Sequence, residues 1–508
     1  MSSGATSLLS ITNGPSGQFF RRGRIITSRF VDRAEGLTYT QPPIEPEQVV
    51  TDMRDLKHLT GKKRFTLGRF SLKKKQGPSV NCFRIPAVIP SIEEPEQKRR
   101  FLRVLLPLVA VVLAAYPVFS LVTSASQETT APSKPLIVHD APGTSRLNPY
   151  QAFLLSAQSL KNVPPAGTGP LVAPLSDGGS VQFSLDRELQ DRVLEIMAQN
   201  RVPYGAFVAM EPKTGRVLAL AGFSDRDRNW PERSCYDLYP MASLFKIITA
   251  AAAIEQKKVS PDTVVAYNGR ACSENPRYWY AKPGKGSQQM TLTQAMGKSI
   301  NPVFGRLAGE IVGRDNMMTM STRFGFNQQL FPGTPVTPSR AAEPQNDAQL
   351  KLMGAGLGRE VKISPLHAVA MMAAIANDGV MMLPVLSDRI TNGAGDVLYC
   401  ENSLPVRRLV DPETARQLAR TLSMTVSSGT SRKAFHDRKG RPKLAEINVA
   451  AKTGSINGTD PEGYYTWFAA YAPAENPQIA LVALVVNQGK WKIKASQLGE
   501  QALEAFFR

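Results

Sequence analysis

The chain has 508 residues and carries 61 Lys and Arg against 42 Asp and Glu, a formal net charge of +19. A chain of this length predicts two to four segments rather than a single core. Its four cysteines and four histidines fall at no spacing that suggests a metal site, and no residue pattern calls for a cofactor.

Residues 1–103 hold 19 Lys and Arg against 9 Asp and Glu, so more than half of the net charge sits in the first fifth of the chain. Basic clusters such as Arg21-Arg22-Gly23-Arg24, Lys62-Lys63-Arg64 and Lys73-Lys74-Lys75 lie among proline-rich sequence without periodicity, which predicts a mostly disordered tail. Nucleic-acid binding is the weaker reading of these clusters, because they precede a membrane-span pattern. Anionic lipid, or protein partners docking on a solvated tail, fits better. Val104–Val122 is a run of 19 residues without a charge, close to the roughly 20 that span a bilayer. Lys98, Arg99, Arg100 and Arg103 flank it on one side and no lysine or arginine follows until Lys134, which predicts a cytoplasmic N-terminus and an external C-terminal part. The span is taken as 104–123, an uncleaved anchor in the cell inner membrane, with the later residues in the periplasm. Residues 124–178 are rich in Ser, Thr, Pro, Ala and Gly and read as a semi-extended linker, with room for a short helix around Tyr150–Leu160.

The folded domain is expected over 179–508. Phe207–Met210, Arg216–Ala221, Trp467–Ala472 and Ile479–Val486 are short, apolar and strand-like. Between them Ser243–Gln256, Leu292–Ile311, Pro365–Ala376 and Pro412–Val426 read as helices, and Ala495–Phe507 as an amphipathic terminal helix. Strands at both ends with a helical middle predict an α/β (α+β) fold, an antiparallel sheet flanked by helices.

Chemistry concentrates first at Ser243-Leu244-Phe245-Lys246, which opens an alanine-rich apolar helix. Residues three apart share one helix face, so the hydroxyl and the amine meet. A lysine set among Phe245, Ile247 and Ile248 is poorly solvated, and desolvation lowers its pKa. A neutral amine beside a hydroxyl is a nucleophile with its base attached. Alone the four-residue pattern is common in ordinary helix starts. Two further patterns follow it in the chain: Ser299-Ile300-Asn301 and Lys452-Thr453-Gly454-Ser455.

SxxK, SxN and KTG in that order are the signature of β-lactamases and penicillin-binding proteins. The chain resembles the penicillin-binding, serine D,D-transpeptidase superfamily over about residues 179–508. Tyr239-Pro240-Met241-Ala242 before Ser243, Gly356-Leu357-Gly358, Ile363-Ser364-Pro365-Leu366 and Trp467-Phe468-Ala469-Ala470-Tyr471-Ala472-Pro473 are similar to further landmarks of that family. The resemblance implies a five-stranded antiparallel sheet covered by helices, with an inserted all-helical subdomain and the Ser243 helix at the junction. It also implies an edge strand at Lys452–Ser455.

The roles that follow from the resemblance are specific. Ser243 is the acylated nucleophile and Lys246 its base, while the backbone N–H groups of Ser243 and Ser455 face the oxyanion. Ser299 relays a proton to the leaving amine within the positive field of Lys452. Asn301 holds a substrate backbone, Thr453 and Ser455 hold a substrate carboxylate, and Gly454 leaves the strand bare for an extended peptide. The implied substrates are peptidoglycan stem peptides ending in D-Ala-D-Ala, with β-lactams acylating the same serine. About 55 residues of linker are too few for a glycan-polymerising or pedestal domain, so a transpeptidase-only protein is expected.

Alternatives remain in view. Water in place of an amine acceptor makes a D,D-carboxypeptidase. A serine β-lactamase is suggested only by Glu343-Pro344-Gln345-Asn346, where the Glu-to-Asn spacing is three rather than four. A non-catalytic β-lactam sensor or a scaffold for cell-wall synthesis proteins is the other class. A Ser-His-Asp triad finds no GxSxG elbow beside His367 or His436, and Gly297-Lys298-Ser299 lacks the first glycine of a phosphate loop. An oxidising compartment would permit a Cys235–Cys272 disulfide bracing the Ser243 region, leaving Cys400 free.

Overall fold

The computed structural model describes residues 146–164, 167–280 and 287–508. The chain divides into two units, Met1–Ala131 and Pro132–Arg508, and all described residues belong to the second. The basic tail, the 104–123 span and Cys82 lie outside the described residues. Among those described, no helix is long and apolar enough to cross a membrane.

The organising element is a five-stranded antiparallel sheet of β1 (Tyr204–Met210), β2 (Val217–Phe223), β3 (Ala450–Thr459), β4 (Glu462–Ala472) and β5 (Ile479–Asn487), in the order β3-β4-β5-β1-β2. Side chains alternate across a strand, and here both faces are covered. Val208, Met210, Val482 and Leu484 join a core with Ile247, Ile248, Val369 and Met372. Their neighbours Phe207, Ala209, Leu481 and Val485 join Leu189, Val193, Leu498 and Leu503 on the other side. The second layer consists of α1 (Arg187–Gln199) and the terminal helix Ala495–Phe506. β5 is buried along its whole length, which explains its unbroken run of Ile, Ala, Leu and Val.

Between β2 and β3 lies the helical part: α2 (Lys246–Glu255), α3 (Leu292–Lys298), α4 (Asn301–Arg306), α5 (Pro365–Ala376) and α6 (Pro412–Ser427) among others. α2 is apolar on every side and correspondingly buried, with Ile247, Ile248 and Ala250 to Ala253 inside. The mixed architecture and the edge position of β3 agree with the expectation. Three details differ. The inserted part is not wholly helical, since two-stranded ribbons join Tyr239–Pro240 to Lys362–Ile363, Val264–Tyr267 to Gln288–Thr291 and Val380–Met382 to Pro405–Arg408. The helix expected over Leu292–Ile311 is broken at Ser299. The linker expected to run to residue 178 is folded over much of its described length. Pro149–Ser159 is a helix capped by Asn148, in agreement with the short helix allowed around Tyr150–Leu160, but Val172–Pro174 pairs with Ser180–Phe183 in a four-stranded sheet completed by Ser387–Thr391 and Val397–Cys400.

The cysteine pairing is also corrected. Cys235, Cys272 and Cys400 are all free. Cys235 is buried in the same core as Ile247 and Ile248, its Sγ 3.8 Å from the Phe207 carbonyl and 3.7 Å from that of Ala221. Cys272 is exposed on the rim of the cleft described below. Cys235 is held in the core while Cys272 lines the open cleft, so closeness of Cys235 to Ser243 in the chain does not bring the two sulfurs together.

Candidate active site

Three segments converge on the Ser299 hydroxyl and the two lysines beside it. Ser243 sits in a single 3₁₀ turn, Ala242–Phe245, that runs directly into α2, and Lys246 is the first residue of that helix. Ala242 holds φ +53°, a conformation that non-glycine residues reach at a cost of about 1–3 kcal/mol. The turn is held from several directions. The Met241 N–H donates to the Val361 carbonyl at 2.9 Å, and Trp467 Nε1 of β4 donates to the Pro240 carbonyl at 2.8 Å. Gly356 (φ +71°) lies against it so closely that a Cβ there would come 2.5 Å from the Ala242 oxygen and 2.7 Å from Ser243 Cα.

The second segment is the break between α3 and α4. Thr291 caps α3 in a reciprocal capping box with Gln294. Ser299 ends the helix in the left-handed conformation, φ 57° and ψ 45°. Ile300 returns to an extended backbone, and α4 begins with Asn301 and with Pro302 in its first turn, where a missing N–H costs nothing. This geometry brings both polar side chains of the SxN pattern to Lys246. The third segment is β3, in which Lys452 is paired in register with Ala469.

Lys246 Nζ lies 2.7 Å from Ser243 Oγ, 2.7 Å from Asn301 Oδ1 and 3.2 Å from Ser299 Oγ. Lys452 Nζ donates to Ser299 Oγ at 2.9 Å and to the Thr453 carbonyl at 2.7 Å. Both lysines have 0% of their surface exposed. Burial, and then the neighbouring Lys452 charge, hold the Lys246 amine well below the ordinary lysine range. Burial alone pushes Lys452 down to about 7. A neutral Lys246 amine has two N–H bonds and one lone pair for its three partners. Asn301 Oδ1 only accepts, so the lone pair falls to a hydroxyl, and Ser243 is the nearer. The arrangement can therefore take the Ser243 proton as the oxygen attacks.

Above the two buried lysines opens a cleft of about 440 Å³ that exposes Ser243, Ser299, Asn301, Thr453, Gly454 and Ser455. All eight residues singled out from the motifs thus lie in this cleft or directly beneath it. Gly454 has a further reason to be glycine, because a Cβ there would lie 3.2 Å from Ala242 Cβ and 3.4 Å from the Met241 oxygen. The space it vacates belongs to the Ser243 turn. Residues missed from sequence also line the cleft, among them Thr430, Tyr464, Lys298, Lys494 and Glu274. Thr430 Oγ1 is 2.6 Å from Thr453 Oγ1. Its signal was faint, a threonine after Ser428-Gly429 just past α6.

The rival residues fall elsewhere. Glu343 is exposed, 3.6 Å from Arg314, and Asn346 caps the helix Asp347–Gly354; neither lines the cleft. His367 is buried with Nδ1 2.7 Å from Ser339 Oγ and Nε2 2.7 Å from the Phe324 carbonyl, and burial pushes it down to about 4.

A serine at the entry to a buried helix, with one buried lysine beside it and a second linked to it through Ser299, defines a serine acyltransferase architecture. Residues 205–504 match the family model of the penicillin binding protein transpeptidase domain, and the chain belongs to that family. A relative, the peptidoglycan D,D-transpeptidase PbpA of Mycolicibacterium smegmatis, is 29% identical over 353 residues, covering 61% of this chain and 68% of its own. The crystal structure of the D,D-transpeptidase domain of a peptidoglycan glycosyltransferase from Eggerthella lenta matches with a TM-score of 0.54 and 26% identity, over 65% of this chain and 83% of that one. Penicillin-binding protein A of M. tuberculosis, solved as an imipenem acyl-enzyme complex, shares the fold at a TM-score of 0.55 and 24% identity, over 65% of this chain and 80% of that one.

Proposed function

We propose that the protein is a serine D,D-transpeptidase that cross-links peptidoglycan stem peptides and is acylated by β-lactams. The observation that carries this reading is the 2.7 Å approach of a fully buried Lys246 amine to Ser243 Oγ at the floor of an open cleft. Family membership and the name of the mycobacterial relative support it.

Ser243 Oγ attacks the carbonyl of the penultimate D-alanine as its proton passes to Lys246 Nζ. The oxyanion faces the backbone N–H groups of Ser243 and Ser455. Ser299, bridging the two lysine nitrogens, passes a proton from Lys246 to the departing nitrogen, the C–N bond breaks and D-alanine leaves. Lys452, Thr453 and Ser455 hold the terminal carboxylate, and Asn301 holds the peptide backbone. The amine of a neighbouring stem then attacks the ester carbonyl, the new amide forms, and the proton it sheds returns through Lys246 to Ser243 Oγ.

The reading extends to location. Residues 104–123 anchor the chain in the cell inner membrane with the basic tail cytoplasmic, the catalytic part periplasmic and 124–145 as spacer; the charge asymmetry about the span supports this. The tail is free to recruit cell-wall synthesis or division proteins. Protease added to spheroplasts should remove the catalytic part and spare the tail.

Incubation with fluorescent penicillin followed by peptide mapping tests the chemistry. The label should sit on Ser243 as a long-lived ester, and a D-Ala-D-Ala pentapeptide should release D-alanine and yield a cross-linked product with an amine acceptor. Release without cross-linking would make the enzyme a carboxypeptidase, and rapid loss of the label a β-lactamase. Folded protein that takes no label would leave the sensor or scaffold reading.

A further inference from the structure

The cleft is rich in lysines. Lys246 and Lys452 lie beneath it, and the exposed lysines Lys298 and Lys494 line it. Among the described residues that line it, Glu274 alone is a carboxylate. Glu274 is exposed, and no described residue forms a hydrogen bond or ion pair with it.

The segment that carries Glu274 is braced. Trp279, fully buried, donates through Nε1 to Ser273 Oγ at 2.9 Å, and Asn268 Nδ2 donates to the Tyr280 carbonyl at 2.6 Å. The same segment grips Asn301, whose backbone N–H donates to the Ala271 carbonyl at 2.8 Å and whose Nδ2 donates to that of Ser273 at 3.3 Å. Asn301 is in turn bonded to Lys246, so a short chain of fixed contacts sets Glu274 relative to the nucleophile.

A primary amine with an ordinary pKa of about 10.4 arrives protonated at neutral pH. The lysines Lys298 and Lys494 on the cleft wall repel such an ammonium, whereas water, the competing acceptor, carries no charge for them to repel. We propose that Glu274 is a specificity-determining residue that draws the ammonium of the acyl acceptor to the Ser243 ester and so favours transfer over hydrolysis. The ammonium sheds one proton to solvent, the freed amine forms the amide as the ester C–O bond breaks, and Ser243 Oγ recovers its proton. This inference rests on the acyl-transfer reading above.

The test uses the detergent-solubilised full chain, a synthetic pentapeptide ending in D-Ala-D-Ala as donor, and Nα-acetyl-L-lysine as acceptor. In Glu274→Gln the ratio of transferred to hydrolysed product should fall about three- to fivefold through a higher acceptor KM, the size expected of an exposed charge pair. Salt should shrink the difference. Glu274→Asp should keep the wild-type ratio, and hydroxylamine, uncharged at pH 7.5, should be transferred equally by all three proteins. An unchanged ratio in Glu274→Gln, or an equal loss with hydroxylamine, overturns the proposal. Fluorescent penicillin separates the two readings: a wild-type chain that takes no label sinks acyl transfer itself. Labelling that is normal in both proteins leaves only the role of Glu274 at stake.

Discussion

Ser299 Oγ lies between two lysine nitrogens, 2.9 Å from Lys452 Nζ and 3.2 Å from Lys246 Nζ. Two ammonium groups at such range would repel strongly with no water to screen them. At least one amine is therefore neutral, and the burial of Lys246, further depressed by the Lys452 charge, assigns that state to Lys246.

Removing the base should separate chemistry from folding. Lys246→Met keeps length and apolar packing, so the variant should fold while acylation by penicillin slows by about 10²–10⁴, the usual worth of a general base. Stopped-flow acylation rates checked against circular dichroism decide it. Acylation at the wild-type rate would assign the base elsewhere.

The pH dependence has a definite sign. A lysine charged only below about 7 can hold the donor carboxylate only below that pH, so KM for a D-Ala-D-Ala peptide should rise as pH climbs past about 7. Stability moves the other way. Unfolded Lys452 titrates near 10.5 and the folded residue near 7, so between those values the unfolded chain binds more protons. Stability is full above the upper value and declines as pH falls towards the lower one. Lys452→Met should flatten this slope in denaturant titrations, and an unchanged slope would contradict the assignment.

Gly356→Ala should damage the nucleophile turn from outside the cleft. Its Cβ would strike the Ala242 oxygen and Ser243 Cα at a position whose φ is +71°. A cost of about 1–3 kcal/mol is expected for such a forced shift. Penicillin acylation should slow together with a lowered Tm. Ala at Gly333, also at positive φ but with open space around it, is the control for backbone strain alone.

Thiol chemistry checks the cysteine assignment. Iodoacetamide should alkylate Cys272 in the folded protein, and prior penicillin binding should slow it because both occupy the cleft. Cys235, 3% exposed with its thiol pushed up to about 12, should react only after denaturation. A peptide linking Cys235 to Cys272 in a non-reducing digest would refute the free-thiol assignment.

Much of the site was legible because acyl transfer constrains residue type and spacing together. Ser243 and Lys246 share a helix face by period alone, whereas the edge strand under the KTG motif followed from the family resemblance and not from its own pattern. Local backbone was harder. The break at Ser299 carries no glycine, and the helix expected over Leu292–Ile311 runs through Pro302, which instead lies in the first turn of a second helix. Long-range pairing left no trace at all. Ser180–Phe183 finds its partner Ser387–Thr391 some two hundred residues away, and nothing in either stretch names the other. The same blindness explains Cys235 and Glu274: one looked near a partner from which the fold separates it, and the other, beside no motif, is carried to the cleft by a loop.

The base nitrogen, the relay and the distal cation are drawn from positions 53 and 153 residues apart, yet they meet around a single hydroxyl. No fragment or partly melted intermediate can reproduce that meeting. Antibiotic reactivity at residue 243 is therefore also a conformational reporter. In a pulse-labelling experiment, the fraction of chains that carry the drug should count those that have reached the native state.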